Sequence, residues 1–590
     1  MNKRYINSPS GNSRRDFLNI LSLIGLSAFT LPAHSANSLS GDKIFFGNDA
    51  TTGTNNEDVL TIDTINETEK IIGINFTKKQ KEQILHDLNS NLNYIQQLRD
   101  VQINNSNFPI ISSVNKAPTI EKEEGTEVSS LEDSKLVIPK TESEIAFLEI
   151  RQLAYLIRTR QLSSLDLTNI YLRRLKRFNS KLNFVITITE ELAIKQAKEA
   201  DQEICRGKYR GLLHGIPYGL KDLFAVEGYK TTWGTEYYKD QVFNYNSTVY
   251  NKLTEAGGVL VAKLAMGAFA SGEEWYGGIT KNPWNTNRTS GGSSSGPASA
   301  VASGCIPFAL GTETNGSMVS PCHECGTTGF RPSFGQVSRF GAMVMSWSFD
   351  KVTPISKSVE DCAIVYSNII GSDGKDNSVI DPTFSWDYGK SINDINIGYH
   401  SRFFEEELMG NPEDGNYKNH LIKIREISRG VLDFFQDRGK KLTALDFDID
   451  SKGCGIMLEV EAAAAFDEYT KSHLHDSQEI NSWPKKFRQY RFLPAVDYIK
   501  AARYRMEVIK QLEQALKGID VYIEITWSNN WTTNLAGLPI IVMPCGFLYD
   551  RPVSITFVGS FNKEEELFVV ANEFQKATRY NKEYPKLIIN

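Results

Sequence analysis

The sequence predicts an α/β fold in which a layered β-sheet carries helices on both faces. Two observations lead to this prediction. The chain has 590 residues with 41% hydrophobic and 23% charged side chains, which is typical of a soluble globular protein that is too long for one ordinary core. Segments with apolar residues at helical spacing also alternate with short apolar runs, as they do where strands and helices pack in layers.

The first segment, residues 1–36, has the composition of an export signal. Arg14 and Arg15 precede a moderately apolar run, Leu18–Leu31, and small residues follow at a spacing that a signal peptidase accepts. Paired arginines before such a run are typical of twin-arginine export. The run is shorter than the roughly 20 residues that span a bilayer. We therefore predict a periplasmic or secreted protein without stable membrane insertion after signal cleavage. A retained N-terminal anchor is the alternative.

The next segment, residues 37–111, is predicted to be an N-terminal extension that contains an amphipathic helix. A capping box, Thr77–Gln80, precedes apolar residues at helical spacing that continue to about Arg99. Residues 112–140 are rich in Ser, Glu, Lys and Pro and are predicted to be a linker. The remaining residues, 141–590, contain the alternation of helices and strands.

The elements of this last segment follow one another in a regular order. A second capping box, Thr141–Glu144, begins a helix that extends to about Ile157, and a further helix includes Leu167–Leu175. Four short apolar runs are predicted to be strands: Phe184–Thr187, Val259–Ala262, Phe308–Leu310 and Ile540–Met543. This order supports the layered α/β class.

Charge and cysteine content exclude several classes of function. The formal net charge is −6, so we predict no nucleic-acid partner, because such proteins carry a strong positive field. The seven cysteines include one C-x-x-C pair, Cys322 and Cys325, which cannot complete a four-ligand zinc site by itself. Packing of these two thiols and a local disulfide both stay open. No other metal-binding pattern occurs, so we predict neither a metal nor a cofactor.

Three segments contain unusual runs of small residues. They are Gly215–Asp222, Arg288–Pro297 and Gly311–Pro321. A Gly/Ser run is often a flexible linker, but Arg288–Pro297 is flanked by apolar and small-residue segments rather than by charged ones. Gly292–Gly296 matches the G-x-S-x-G nucleophile elbow, which needs a buried strand that Asn285–Arg288 does not provide. A phosphate-binding loop would require a lysine directly after its last glycine, and none occurs there.

In this order the three segments resemble the motifs of the amidase signature family of serine hydrolases, and the resemblance extends over about residues 141–590. It implies the amidase-signature fold, with a mixed central β-sheet covered by helices on both faces. It also implies an amidase that hydrolyses a carbon–nitrogen bond through an acyl-enzyme intermediate, and together with the predicted export signal it indicates an exported bacterial amidase. The family pattern assigns Ser317 as the nucleophile, Ser293 as the relay behind a cis peptide bond and Lys221 as the base.

The chemistry of amide hydrolysis explains why such residues are needed. A serine hydroxyl attacks an amide only when a base removes its proton and an oxyanion hole stabilises the new charge. A free lysine has a pKa of about 10.4, so Lys221 must be buried in order to be neutral at physiological pH. The resemblance assigns the oxyanion hole to four backbone N–H groups, those of Thr314, Asn315, Gly316 and Ser317.

The two residues after the nucleophile bear on the substrate. Many family members carry an arginine at the second of these positions, whereas this chain has Met318 and Val319. We therefore predict these two side chains as candidates for an uncharged wall of the substrate pocket. The expected substrate is a small-molecule or peptide amide of the linear kind.

Two other functions stay open. One is the glutaminase (A) subunit of a tRNA-dependent amidotransferase, which shares the core but works in the cytoplasm with a partner and tRNA. The export signal, the long N-terminal extension and the missing arginine count against it. The other is a binding protein that kept the fold and lost its activity, against which the intact set of Lys221, Ser293 and Ser317 counts. A homodimer is left open as well.

Overall fold

The computed structural model describes residues 60–103, 138–380, 384–386, 390–405, 415–472 and 481–589. The predicted export signal, residues 1–36, lies outside the described residues, as does nearly all of the predicted linker, residues 112–140.

The described chain contains one large sheet and two small hairpins. In chain order, its strands are β1 (Val185–Ile188), β2 (Pro217–Lys221), β3 (Val259–Leu264), β4 (Glu274–Trp275), β5 (Gly278–Ile279), β6 (Lys281–Asn282), β7 (Asn285–Thr289), β8 (Phe308–Glu313), β9 (Thr328–Arg331), β10 (Lys351–Ser356), β11 (Ile397–His400), β12 (Thr443–Leu445), β13 (Val521–Ile525), β14 (Ile540–Leu548) and β15 (Arg551–Gly559). β4 pairs with β5 and β6 with β7, and the other strands form the central sheet in the order β1-β3-β2-β8-β10-β9-β14-β15-β13-β11-β12.

Strand direction makes the central sheet mixed. β2 runs parallel to β3 and β8, and β11 runs parallel to β12 and β13. The other neighbouring strands are antiparallel. The four predicted strands are confirmed as β1, β3, β8 and β14. Strand β7, by contrast, begins with three exposed residues, so a buried strand of the kind that an elbow needs is not found before the Gly/Ser run.

Helices surround the sheet. They are α1 (Ile62–Ile72), α2 (Lys78–Asp100), α3 (Glu142–Ala146), α4 (Ile150–Arg158), α5 (Ser164–Leu182), α6 (Glu190–Cys205), α7 (Thr248–Glu255), α8 (Ser295–Ala302), α9 (Val319–Cys325), α10 (Val359–Ile369), α11 (Ser401–Glu405), α12 (Gly415–Asp437), α13 (Gly455–Ala465), α14 (Asp467–Lys471), α15 (Trp483–Gln489), α16 (Ala495–Ala515), α17 (Asn530–Ala536), α18 (Glu564–Thr578) and α19 (Lys586–Ile589). Several single turns of 3₁₀ helix connect them.

The sheet is covered on both faces, because alternate side chains of its strands belong to two different hydrophobic clusters. In β8, Phe308 and Leu310 belong to the larger hydrophobic cluster, whereas Ala309 belongs to the smaller one. In β14, Ile541 belongs to the larger cluster and Ile540 to the smaller one. Because successive side chains of a strand point to opposite faces, the two clusters lie on opposite sides of the sheet. The predicted fold class is therefore confirmed.

The second capping box does not begin one long helix. The Thr141 hydroxyl accepts the Glu144 N–H at 3.2 Å, but helix α3 ends at Ala146. Phe147 then stacks on Tyr584 with ring centroids 3.9 Å apart, and α4 begins anew. The first N–H of α4, that of Ile150, donates to a carboxylate oxygen of Asp361 at 2.9 Å. This capping contact, which is remote in sequence, explains why the predicted helix is divided in two.

Helix α2, from the predicted N-terminal extension, packs against two helices from the C-terminal part of the chain. It packs on α15 and α16, and its Leu98 is buried in the larger cluster. Arg99 reaches the Asp497 carboxylate of α16 at 2.7 Å. This part of the predicted extension therefore shares a core with the rest of the described chain.

In the part of the chain that the structure describes, none of the helices has the length and apolar character needed to cross a lipid bilayer.

Candidate active site

The site begins where two parallel strands end side by side. β2 and β8 are neighbours, with Leu220 opposite Leu310, so their carboxyl ends lie at the same edge of the sheet. Lys221 is the last residue of β2, and Thr312 lies near the end of β8. This register brings Lys221 Nζ to 2.9 Å from Thr312 Oγ1.

Lys221 is completely buried, and its amine contacts hydroxyl groups. Besides Thr312, it lies 2.8 Å from Ser293 Oγ and 3.1 Å from Ser294 Oγ. Burial lowers the pKa of Lys221 to about 7, although the negative charges of Glu313 and Asp350 partly oppose this shift. Removal from water disfavours the ammonium form, and hydroxyl groups compensate its charge poorly. The group can therefore exchange a proton near neutral pH.

Ser293 and Ser294 are held at the start of helix α8. The peptide bond between Gly292 and Ser293 is cis, and the Ser293 carbonyl accepts the Gly267 N–H at 3.1 Å. Gly296, in the first turn of α8, lets the chain approach β3, because a Cβ there would lie 2.5 Å from the Ala265 nitrogen. Such close backbone contact requires glycine. It explains why a run of small residues is needed beside the lysine.

Ser317 lies two residues before helix α9 begins, next to the Ser293–Ser294 segment. The Ser294 N–H donates to the Ser317 carbonyl at 2.9 Å. Exposure increases from Lys221 (0%) through Ser293 (1%) to Ser317 (8%). The Ser317 hydroxyl makes no hydrogen bond within the described residues, whereas that of Ser293 contacts Lys221. The structure thus joins Lys221 to Ser293 directly and places Ser317 beside them at the more accessible end.

The loop around Ser317 folds over the end of β8, and Glu313 holds it there. The buried carboxylate of Glu313 accepts the N–H groups of Gly316 at 2.7 Å and of Val319 at 3.3 Å, together with that of Met318. Gly316 has a φ of +92°, a region that favours glycine, so the turn depends on this residue. A carboxylate with several backbone donors is a strong local anchor.

This anchor changes the predicted oxyanion hole. Of the four predicted donors, the N–H of Gly316 is engaged by Glu313. The hydroxyl of Thr314 donates to Asp350 at 2.6 Å and positions the start of the loop. Within the described residues, the N–H groups of Thr314, Asn315 and Ser317 have no acceptor. These three predicted donors are therefore not engaged by the described part of the protein.

Glu313 itself is a site residue that sequence reasoning missed. The side-chain amide of Asn534 donates to it at 3.0 Å, and the guanidinium of Arg331 lies 3.5 Å away. All three side chains are fully buried. The available signal was a charged residue at the end of an otherwise uncharged buried strand, since such a charge needs partners. Its partners could not be found from the sequence, because they lie on β9 and α17.

The prediction for Met318 and Val319 needs correction. Both side chains are buried, at 0% and 1% exposure, and belong to the smaller hydrophobic cluster. Met318 packs so closely over Gly329 of β9 that a Cβ there would lie 2.1 Å from its sulfur. These residues anchor the first turn of α9 to the sheet. Core packing, rather than a pocket wall, accounts for their apolar character.

The two cysteines of the C-x-x-C pair lie on α9 as free, buried thiols, so no disulfide joins them. Burial raises the pKa of both thiols. Among the described residues, no group of three or more His, Cys, Asp or Glu side chains could hold a metal ion.

Beside the lysine, a buried ion pair joins β2 to β3. Lys263 Nζ lies 2.8 Å from Asp222 Oδ1, and both side chains are 0% exposed. The second oxygen of Asp222 accepts the N–H and hydroxyl of Thr232. Since Asp222 directly follows Lys221, these contacts hold the backbone from which the lysine projects.

Comparison with known proteins places this fold and site in a family. The family model described as Amidase matches residues 166–428. The glutamyl-tRNA(Gln) amidotransferase (A) subunit of Thermoanaerobacter pseudethanolicus is 30% identical over 485 residues, which cover 74% of this chain and 98% of that protein. The corresponding protein of Methylococcus capsulatus is 31% identical over 482 residues, with 74% and 98% coverage. The chain therefore belongs to the amidase (amidase signature) family.

Solved structures agree with this assignment. An amidase family protein from Bacillus anthracis superimposes with a TM-score of 0.66 at 27% identity, covering 75% of this chain and 93% of that one. The native peptide amidase from Stenotrophomonas maltophilia gives a TM-score of 0.61 at 23% identity, with 73% and 97% coverage. The second likeness concerns the fold alone.

Proposed function

We propose that this protein hydrolyses a carbon–nitrogen bond of a small-molecule or peptide amide through an acyl-enzyme on Ser317. Lys221 is the base and Ser293 relays the proton. One observation carries the proposal: a fully buried lysine whose pKa is lowered to about 7 lies 2.8 Å from a serine hydroxyl. A poised base within hydrogen-bond reach of a hydroxyl is the arrangement that activates a weak nucleophile.

The hydrogen bonds around Lys221 favour proton transfer from Ser293 to Lys221. The Ser294 hydroxyl donates its proton to the Thr312 carbonyl at 3.1 Å, so its oxygen is an acceptor toward the lysine, as it is toward the Thr312 N–H. A neutral lysine has two N–H donors and one lone pair. If the donors serve Ser294 and the Thr312 hydroxyl, the lone pair remains for the proton of Ser293. Ser293 is thereby primed to take a proton from Ser317.

The acylation step transfers the acyl group of the substrate to Ser317 and releases the amine. Ser317 Oγ attacks the amide carbon while its proton passes to Ser293 Oγ, whose own proton passes to Lys221 Nζ. The carbonyl oxygen becomes an oxyanion, which the N–H groups of Asn315 and Ser317 stabilise. When the carbon–nitrogen bond breaks, Lys221 returns the proton through Ser293 to the departing amine. Preorganised donors of this kind are worth about 3 kcal/mol each.

Deacylation repeats the same transfers with water. Water attacks the ester carbon, its proton passes by Ser293 to Lys221, and the proton returns to Ser317 Oγ as the ester bond breaks. The products are a carboxylic acid and the amine, and the three side chains regain their starting protonation states.

Turnover of a panel of aryl, peptide and fatty amides tests the proposal. We expect Lys221→Ala, Ser293→Ala and Ser317→Ala each to abolish hydrolysis, because each removes one member of the relay. Ser180→Ala, at an exposed site on α5, is the matched control and should keep full activity. Normal activity of Lys221→Ala would overturn the assignment of the base. An inactive wild-type protein that Ser317-directed probes do not label would favour a binding protein without activity.

The relatives favour a second candidate, the glutaminase component of an amidotransferase. The curated relatives are named as the (A) subunit of the glutamyl-tRNA(Gln) enzyme, and this chain covers nearly their whole length. Ammonia release from glutamine by the purified protein, and a partner subunit that co-purifies with it, would support this function. Hydrolysis of other amides by a protein without such a partner would exclude it. A homodimer can be tested in the same preparation by its mass in solution.

We also propose export by the twin-arginine route, on the pattern of Arg14, Arg15 and the apolar run that follows. Replacement of both arginines by lysine should retain the full-length protein inside the cell, because this route requires the arginine pair. Fractionation after expression with the native leader measures this. Unchanged export of the double variant would exclude the twin-arginine route.

A further inference from the structure

The segment between β13 and α17 lies over the loop that carries Ser317. Trp527, in this segment, has a φ of +82°, which is rare for a bulky side chain. Such a conformation costs about 1–3 kcal/mol and persists only where the surroundings impose it. Contacts of Trp527 with its surroundings must therefore hold its backbone in this conformation.

The indole of Trp527 touches the residue next to the nucleophile. A Cβ built on Gly316 would lie 2.8 Å from Cζ3 and 2.9 Å from Cη2 of Trp527. The ring is thus in contact with the Gly316 backbone, and no larger residue fits at position 316. Trp527 is half-buried, and one side of it packs on the smaller hydrophobic cluster. Its indole N–H makes no hydrogen bond within the described chain.

Several contacts of neighbouring residues fix this placement. The Asn530 amide donates to Asn315 Oδ1 at 3.0 Å, which ties the segment to the nucleophile loop from the other side of Gly316. Trp531 stacks on Phe349 with centroids 5.4 Å apart and an interplanar angle of 18°. The segment is therefore held rigidly, as a positioned wall requires.

We propose that Trp527 is a specificity-determining residue, whose indole forms the wall against which a flat apolar or aromatic acyl group packs beside Ser317. The inference rests on the proposed amide hydrolysis and names the substrate class of that same site. An aromatic ring offers a large rigid surface to such a group, and ring pairs prefer offset or edge contacts.

The acyl side of the amide is assigned from the direction of proton transfer. The departing amine must receive its proton from Ser293, so the amine lies on the Ser293 side of the carbonyl. Within the described residues, Trp527 contacts Gly316 and makes no hydrogen bond with Lys221, Ser293 or Ser294. The proposal therefore places Trp527 against the other substituent of the carbonyl carbon, which is the acyl group.

The test compares two p-nitroanilides with the same leaving group, those of phenylacetic acid and acetic acid. Trp527→Ala should lower kcat/KM for the phenylacetyl substrate about tenfold and that for the acetyl substrate less than about threefold. Trp527→Phe should keep most of the preference. Tyr549→Ala, at an exposed aromatic residue in the turn between β14 and β15, is the matched control, and it should leave the ratio of the two values unchanged.

A second measurement does not depend on turnover. Labelling of Ser317 by fluorophosphonates that carry a methyl or a phenylethyl group on phosphorus should show the same loss of preference in Trp527→Ala. An equal loss for both groups, or no loss, in a protein that is active and folded would overturn this inference alone. Absence of turnover and of label in the wild-type protein would overturn the proposed function, and this inference with it.

Discussion

At the scale of the residue, the chemistry depends on what surrounds one amine. Lys221 is fully buried among hydroxyl groups, and burial lowers its pKa to about 7. In water a lysine keeps its proton until a pH of about 10 and cannot serve as a base at neutral pH. The family pattern identified this residue from the sequence. The hydroxyls of Ser294 and Thr312 that complete its environment were not predicted, because they depend on the alignment of β2 with β8.

The first prediction concerns pH. In the proposed mechanism the neutral form of Lys221 is the base, so kcat/KM should rise as the pH increases through about 7 and then level off. A pH–rate profile from pH 5 to 9 measures this on any substrate that is turned over. A rate that stays constant over that range, or that still increases at pH 9 without levelling off, would contradict the assignment of Lys221 as a base whose pKa is lowered to about 7.

The second prediction concerns Thr312, whose hydroxyl lies 2.9 Å from Lys221 Nζ. Thr312→Val removes this hydroxyl at nearly constant volume. The ammonium form loses a hydrogen-bond acceptor, so the inflection of the pH–rate profile should move to lower pH. The rate above the inflection should also fall, by about tenfold, because the amine is less well oriented. An unchanged profile would show that Thr312 has no part in positioning the base.

At the scale of the element, the end of β8 and the turn after it form one unit. Glu313 is the last residue of β8, and its carboxylate holds the backbone of the turn that presents Ser317. Arg331 and Asn534 bring β9 and α17 to the same carboxylate. Apolar runs and capping boxes predicted four strands and parts of three helices, because these features depend on local patterns. The division of the helix at Phe147 was not predicted, because it depends on the distant residues Asp361 and Tyr584.

The third prediction concerns this unit. Glu313→Gln replaces one acceptor oxygen by an NH₂ group that faces backbone N–H donors. The variant should lose about 1–3 kcal/mol in the free energy of unfolding, measured with urea, and should label more slowly with a fluorophosphonate. Glu324→Gln, on α9 but paired with Arg288 and Arg551, is the matched control and should label at the wild-type rate. Equal labelling rates in both variants would contradict the role of Glu313.

At the scale of the whole molecule, one sheet with two clusters positions the site from strands and loops that are far apart in sequence. The family resemblance predicted the sheet and the three central residues, since these are carried by short motifs. Trp527 and Asn530 could not be predicted from those motifs, because their contact with Gly316 and Asn315 exists only in the folded chain. The contribution of α2 to the larger cluster was also not predicted, because the apolar face of an amphipathic helix does not show which element it packs against.

The fourth prediction tests this contribution of α2. Leu98 is 1% exposed in the larger cluster, whereas Leu92 on the same helix is 36% exposed. Leu98→Ala should lower the free energy of unfolding by about 2–5 kcal/mol, and Leu92→Ala should lower it much less. Urea unfolding of the two variants measures the difference. Equal effects would show that α2 is not part of the cooperative core.

The central claim is that a neutral Lys221 activates Ser317 through Ser293. Peptide mapping by mass spectrometry after treatment with a fluorophosphonate tests it most directly. We predict that in the folded wild-type protein the label is found on Ser317, and that Lys221→Ala, with an unchanged melting temperature, leaves Ser317 unlabelled. Label on Ser317 in Lys221→Ala at the wild-type rate, or label on another serine in the wild-type protein, would contradict the account.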